Sequence, residues 1–270
     1  MLLYTRALEA FPGLKQRIFR LLYQYLGRYE YADWTFMNYG YNTPLRSGEA
    51  LQLLAEDEPD RNCIQLYECV TAGAQLKGRS LLEIGCGRGG GLSYLHRYRG
   101  PRMSRGLDIA PRAVAVCRAR HVHPGVGDLW FRVGDALATD YDDGAFDVVV
   151  NVESSHCYPS RFDFFLEVRR VLKPGGTFCY ADLHEKEAAA GIESALEGAG
   201  FAVTQREDLT PGVLRSLAAD DSRKRELILA RAPWVLRRAF NCFAGVVGSR
   251  THLSFVVGAR QYTRWLLRKV

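Results

Sequence analysis

From Gly78 onward, short and mostly apolar runs alternate with longer stretches of helical spacing, and this alternation sets the expected architecture. Ser80–Ile84, Arg105–Asp108, Leu129–Val133, Phe146–Val150, Thr177–Ala181 and Phe201–Thr204 read as strands, several apolar enough to be buried on both faces. Between them, Gly90–Arg97, Pro111–Arg120, Ser160–Leu172 and Ala188–Ala199 read as helices. Lys173-Pro174-Gly175-Gly176 stops the third of these and turns the chain into the next strand. A strand–helix–strand series of this kind predicts the α/β class, a Rossmann-like doubly wound sheet with helices on both faces.

Two regions stand outside the series. Residues 1–75 read as a mostly helical N-terminal cap, in which Leu14–Tyr31 places Ile18, Leu21, Leu22, Tyr25 and Leu26 on one face. That helix packs against the body or, alternatively, lies on a membrane surface. Residues 209–250, rich in Leu and Ala and carrying Trp234, Phe240 and Phe243, read as a helical lid inserted before a last strand near Gln261–Leu267. The expected organisation is one domain over residues 1–270: the cap, a cofactor-binding core over 76–208, the lid, and the final strand within 251–270.

Composition removes several function classes. A chain of 270 residues that is 47% hydrophobic and 24% charged is a packed globular protein, neither disordered nor fibrous. Its seven cysteines form no C-x-x-C pair, so neither a disulfide framework nor a zinc ribbon is expected, and no metal site is assigned. The N-terminus does not read as a secretion signal, and no apolar stretch approaches the ~20 residues of a membrane-spanning helix. A cytoplasmic location is therefore expected. The 36 Lys and Arg exceed the 30 Asp and Glu by six, but no basic stripe with interleaved aromatics accompanies that excess, so no nucleic-acid partner is expected. A homo-oligomer remains open.

The chemistry concentrates at the strand ends. Glu83-Ile84-Gly85-Cys86-Gly87-Arg88-Gly89-Gly90 places a glycine-rich turn after the first strand, where the backbone can approach a ligand closely. Gly85, Gly87 and Gly90 also satisfy G-x-G-x-x-G, which keeps an NAD-dependent oxidoreductase in view. Asp108, 19 residues beyond Gly89 at the end of the second strand, suits a ribose diol. Glu83 puts negative charge where a dinucleotide's phosphates would be repelled and a cationic ligand attracted. Asp135, in Gly134-Asp135-Ala136, can accept from an adenine amine, and Asn151-Val152-Glu153 adds polar groups at a fourth strand tip.

Taken together, these residues resemble a class I S-adenosylmethionine-dependent methyltransferase from about Ser80 to Tyr180. Phe36–Tyr41 and Asn151–Tyr158 are similar, more narrowly, to the phthiotriol/phenolphthiotriol dimycocerosate methyltransferases, whose wider relatives O-methylate sugar and polyketide natural products. The resemblance implies a seven-stranded sheet with an antiparallel last strand and S-adenosyl-L-methionine as cofactor. It implies that Gly85, Gly87 and Gly89 line the methionyl and ribose part, that Glu83 holds the ammonium group, and that Asn151 contacts the methionine. It further implies that Asp108 binds the ribose, Ile109 lies against the adenine, and Asp135 and Ala136 read the adenine edge. Tyr39 and Tyr41 either close over the cofactor or serve as packing aromatics.

His156 is the best catalytic candidate. A neutral hydroxyl attacks a sulfonium methyl poorly until its proton is accepted, and an imidazole with a pKa near 6.5 suits that role. The alternative is a histidine that caps the Ser160 helix or packs in its loop. Asp182, just after the fifth strand, orients this base or is an exposed strand-end carboxylate, and His184 is a weaker candidate. His121 and His123 read as a solvated turn; Cys86 and Cys157 read as small buried residues. The expected activity is O-methylation of a hydroxyl on a bulky, hydrophobic small molecule such as a polyketide or lipid. C-methylation, the NAD-dependent oxidoreductase and a repurposed, non-methylating member of the fold are the alternatives.

Overall fold

A computed structural model describes residues 35–43 and 51–270, so the expected helix Leu14–Tyr31 lies outside the described residues. Seven strands form one sheet: β1 Ser80–Ile84, β2 Met103–Asp108, β3 Leu129–Val133, β4 Phe146–Val152, β5 Leu172–Glu185, β6 Phe201–Asp208 and β7 Arg260–Lys269. Their order is β3-β2-β1-β4-β5-β7-β6. The first five run parallel, and β7 is antiparallel to both β5 and β6. The expected doubly wound sheet with its antiparallel last strand is therefore present. The strand order reverses between β1 and β4, and in such sheets ligands bind outside the carboxyl ends of the strands at that point.

Alternation along the strands assigns the two faces. Leu81, Val148 and Val150 join one core cluster, while Leu82, Ile84 and Val149 join the other. The first cluster is closed by α1 Arg61–Thr71, α2 Gly90–Arg99, α3 Pro111–His121 and α6 Thr210–Ala219. The second is closed by α4 Arg161–Val171 and α5 Ala189–Gly198. On that second face Phe178, Tyr180 and Trp265 stack in sequence, with ring centroids 5.4 and 5.1 Å apart. Three further helices, α7 Asp221–Arg231, α8 Arg237–Phe243 and α9 Arg250–Val256, complete the segment before β7.

Several expectations are corrected. The last strand, expected near Gln261–Leu267, is β7 Arg260–Lys269, but the start of the 251–270 segment assigned to it belongs to α9. Lys173–Gly176 is not a turn between elements but a bulge within β5. Pairing with β4 jumps from Phe146–Leu172 to Val148–Thr177, with Gly175 at φ 67°. β5 also runs to Glu185, because β7 pairs with it without interruption from Thr177 to that residue. Asp182 and His184 thus belong to the strand, and both are buried. His121 is the last residue of α3, buried with Nε2 3.0 Å from the Arg88 carbonyl, and burial pulls its pKa down to about 4. Trp234 of the expected lid is 80% exposed, so it does not build a pocket wall. Among the described residues no helix is long and apolar enough to cross a membrane.

Arg264, fully buried in β7, ties the sheet to the end of α1. Its guanidinium donates to the Val70 carbonyl at 3.1 Å, to Gln205 Oε1 at 3.0 Å and to the Ala72 carbonyl. Arg264→Met keeps the volume but leaves these acceptors unsatisfied. Unfolding free energy from urea denaturation is expected to fall by about 3 kcal/mol.

Candidate active site

The turn after β1 is built around Gly85. Its φ of 73° favours glycine, and a Cβ there would sit 1.9 Å from Ser154 Oγ and 2.6 Å from the Tyr158 hydroxyl. The amides of Gly85 and Cys86 both donate to the Leu107 carbonyl, at 2.7 and 3.1 Å, which folds the glycine loop over the tip of β2. Asp108 then holds the loop open: Oδ2 accepts from the Gly87 amide at 2.8 Å and Oδ1 from the Ala110 amide at 2.9 Å. Desolvation nevertheless raises the Asp108 pKa to about 6.

These elements enclose a crevice of about 940 Å³ at the reversal point of the sheet. Of the residues singled out from sequence, Gly85, Gly87, Asp108, Ile109, Asp135 and Ala136 line it. Asp135 Oδ1 accepts from the Leu137 amide at 2.9 Å. Glu83, Gly89 and Asn151 do not line it. Gly89 caps α2, where a Cβ would meet the Phe131 ring at 2.8 Å. Asn151 is fully buried and braces the tips of β1 and the following loop, with Nδ2 donating to the Ile84 carbonyl at 2.8 Å and to the Tyr158 hydroxyl at 3.3 Å. Glu83 lies behind the wall, where Oε1 accepts from the Tyr67 hydroxyl at 2.6 Å and Oε2 is buried without a hydrogen bond. Burial pushes its pKa up to about 8.

Tyr67 itself lines the crevice, as do Thr35–Asn38, Ser154 and Tyr158, none of them assigned to it from sequence, and so does Glu153, read from sequence as a polar group at the fourth strand tip. Nothing in the spacing around Tyr67 signals its contact with Glu83. Glu153 does carry a structural mark, since it is the one described non-glycine residue with positive φ, at 50°. Its Oε1 accepts from the Tyr39 amide at 2.8 Å, and burial pushes its pKa up to about 7.

His156 stands in a short turn, Ser155–Cys157, directly after β4. Asp182 of β5 holds it at two points: Oδ1 is 2.7 Å from His156 Nδ1, and Oδ2 accepts from the His156 amide at 2.8 Å. Asp182 also accepts from Ser155 Oγ at 2.5 Å and from the Leu183 amide at 2.8 Å. Against the cost of burial, His156 and Arg161 hold its carboxyl down at about 2, and Cys157 and Asp182 together hold His156 above the usual imidazole range. The exposed-carboxylate reading of Asp182 is overturned. So is any catalytic place for His184, whose Nε2 is 2.8 Å from Thr263 Oγ1 deep in the sheet.

A second cavity, of about 930 Å³, adjoins the first through a shared wall, Phe36–Asn38. Leu227, Ile228, Phe240 and Phe243 of α7 and α8 give it apolar wall, and Asp60, Asp220, Arg223, Lys224 and Arg231 also line it. Tyr39 lines this cavity, with its ring edge-on to Phe255. Tyr41 lines neither; its ring packs against Gly212 of α6, where a Cβ would come within 2.2 Å of it. Tyr41 is therefore a packing aromatic.

Residues 82–180 match the family described as a methyltransferase domain. "Probable phthiotriol/phenolphthiotriol dimycocerosates methyltransferase 2" of Mycobacterium ulcerans (strain Agy99) is 43% identical over 200 residues, 74% of this chain and 76% of that protein. The chain belongs to the S-adenosylmethionine-dependent methyltransferases. A fatty-acid O-methyltransferase of Mycolicibacterium smegmatis is 38% identical over 82% of this methyltransferase and 80% of its own length. The crystal structure of geranyl diphosphate C-methyltransferase from Streptomyces coelicolor A3(2), with Mg2+, geranyl diphosphate and S-adenosyl-L-homocysteine, shares the fold at TM-score 0.65 and 21% identity. It covers 92% of this chain and 98% of that one. S-adenosylmethionine is the cofactor, and the NAD reading of the glycine pattern falls.

The geometry of the dyad makes a direct prediction for this methyltransferase. Asp182→Asn removes the anion that stabilises imidazolium, so the His156 ring should titrate at lower pH than in the unaltered protein. The C2-proton resonance followed by NMR across pH 5–9 checks it (about the range in which histidines titrate).

Proposed function

We propose that this methyltransferase transfers a methyl group to a hydroxyl of a bulky, largely apolar small molecule, with His156 as general base. The observation that carries the reading is the His156–Asp182 pair, fixed on the loop whose neighbours Ser154, Cys157 and Tyr158 line the crevice. In this reading the 940 Å³ crevice takes the cofactor and the adjoining apolar cavity takes the acceptor. The names of the relatives, phthiotriol lipids and fatty acids among them, accord with an acceptor of this kind. The helices before β7 then act as its roof, and the whole chain works as one catalytic domain.

The crevice fits S-adenosylmethionine by its donor and acceptor set. Glu83 lies behind the crevice wall, so it would act on an ammonium group through Tyr67, whose hydroxyl is 2.6 Å from Oε1 and which lines the crevice. Each Asp108 oxygen spends one lone pair on a backbone amide and keeps another for a ribose hydroxyl. Asp135 Oδ2 is available to an adenine amine, with Ile109 and Ala136 against the ring. Gly89 and Asn151 act from behind as positioning residues. When bound, the cofactor supplies a methyl group made electrophilic by its sulfonium.

The residues of the chain supply proton removal and orientation. Asp182 fixes the imidazole through Nδ1, on a ring that also meets Cys157, and in this reading the neutral ring accepts the hydroxyl proton. The same carboxylate stabilises the imidazolium that results, as it does in the resting protein. Only the neutral ring can accept a proton, so activity should rise with pH through the elevated His156 pKa. The acid limb of kcat/KM is expected above about 6.5, the unperturbed histidine value.

His156→Ala should lower kcat on a long-chain lipid alcohol by roughly 10²- to 10⁴-fold while S-adenosylmethionine affinity stays near its original value. Unchanged turnover would remove the general-base role. Gly85→Ala tests the crevice: with a Cβ 1.9 Å from Ser154 Oγ, cofactor affinity measured by calorimetry should fall by about a hundredfold or more.

A further inference from the structure

The second cavity holds Lys224, a cation whose hydrogen-bonding capacity is not met among the described residues. On α7, Lys224, Leu227, Ile228 and Arg231 recur at the spacing of one helix face and line the cavity together. Next to Lys224, Asp220 is already committed to Arg223, which donates to its two oxygens at 2.6 and 2.9 Å. Arg223 also approaches Asp60 Oδ1 at 3.6 Å. Lys224 is left with an ion pair of 3.9 Å to Asp220 Oδ2 and makes no side-chain hydrogen bond among the described residues, although its side chain is only 14% exposed.

An ammonium carries three donors, and placing one in an apolar enclosure is costly unless acceptors meet it. The surrounding wall offers aromatic and aliphatic carbon from Phe36, Leu227, Ile228, Phe240 and Phe243, and its two carboxylates, Asp220 and Asp60, both face Arg223. A neutral hydrocarbon filling this space would strip the remaining water from Lys224 and give nothing back. An amphiphile ending in an oxyanion would supply both the carbon for the walls and the acceptors for Nζ.

We propose that the acceptor is an anionic amphiphile whose oxyanion, a carboxylate or a phosphate, is bound by Lys224 while its apolar body fills the 930 Å³ cavity. The inference deepens the acceptor assignment above and rests on it. Lys224 is then a specificity residue that selects charged amphiphiles over neutral ones of equal length.

The test is binding to the full chain saturated with S-adenosylhomocysteine, so that no turnover is needed and failure of the general-base reading cannot be confused with failure of this one. Decanoate, decyl phosphate and decan-1-ol are titrated against unaltered protein and Lys224→Met. The unaltered protein should bind at least one anionic probe roughly ten- to a hundredfold more tightly than the alcohol, and the variant should lose that preference while keeping its affinity for the alcohol. Which anion binds more tightly distinguishes carboxylate from phosphate. Lys224→Gln serves as a second variant, and S-adenosylhomocysteine binding at unaltered affinity certifies the fold of either. Equal binding of all three probes, failure of all three to bind, or a preference that survives both substitutions overturns the proposal.

Discussion

A single buried carboxylate, that of Asp182, organises the candidate site. It is fully enclosed in the sheet and ionised, a condition tolerated only where donors surround it. Four donors do so: the His156 ring and amide, Ser155 Oγ and the Leu183 amide. Three of these come from the turn after β4, so satisfying Asp182 pins that turn against β5. The turn in turn positions Tyr158, whose hydroxyl is 2.6 Å from Ser154 Oγ, and these two side chains occupy the space a Cβ on Gly85 would need. A charge in the middle of one strand thereby dictates the residue at the tip of another.

The same pair sets a stability window. Asp182, depressed to about 2, contributes stability that is complete above its unfolded pKa of about 3.9 and is lost as pH falls through the folded value. His156, raised, contributes stability that is complete below about 6.5 and is lost as pH rises through its own folded pKa. Both contributions are complete together between roughly pH 4 and 6.5. General-base work needs the neutral ring, which lies beyond the upper end of that window. In the proposed general-base role, the interaction that fixes His156 is thus the one that must be partly surrendered for the ring to act.

Much of this was legible in the sequence because it depends on local pattern. All seven strands coincide in place with apolar runs, and the glycine turn is legible because φ near 73° at Gly85 requires a residue without a side chain. His156 and Asp182 could be nominated by residue type and strand-end position. Their contact was one of two readings of Asp182; its burial could not be read, because it depends on β5 continuing past Ala181 under pairing with β7, a strand nearly eighty residues later. Tyr41 and Asn151 do not line the crevice for a related reason. Each has the right chemistry beside the right motif, but its direction is set by tertiary neighbours, Gly212 for one and the Ile84 carbonyl for the other. Tyr67 was invisible because its partner Glu83 lies on a different element with no periodicity linking them.

The two cavities are not independent. Phe36, Met37 and Asn38 line both, and this short segment has no helical or strand hydrogen bonding of its own. It is held by single contacts: Asn38 Nδ2 to the Cys63 carbonyl, the Tyr39 amide to Glu153, and Ser216 Oγ to the Tyr39 carbonyl. Phe36 meets Tyr67 edge to face on the crevice side, while Tyr39 meets Phe255 on the other. Glu153, which anchors the segment, does so from a backbone conformation that a side chain rarely adopts. A wall shared in this way cannot shift toward one ligand without changing its fit to the other, so occupancy of the crevice and shape of the second cavity, the acceptor site in the proposed reading, are coupled through the same few residues. Coupling between binding equilibria is reciprocal by linkage, and an acceptor that presses on Phe36–Asn38 therefore reports on the cofactor next door.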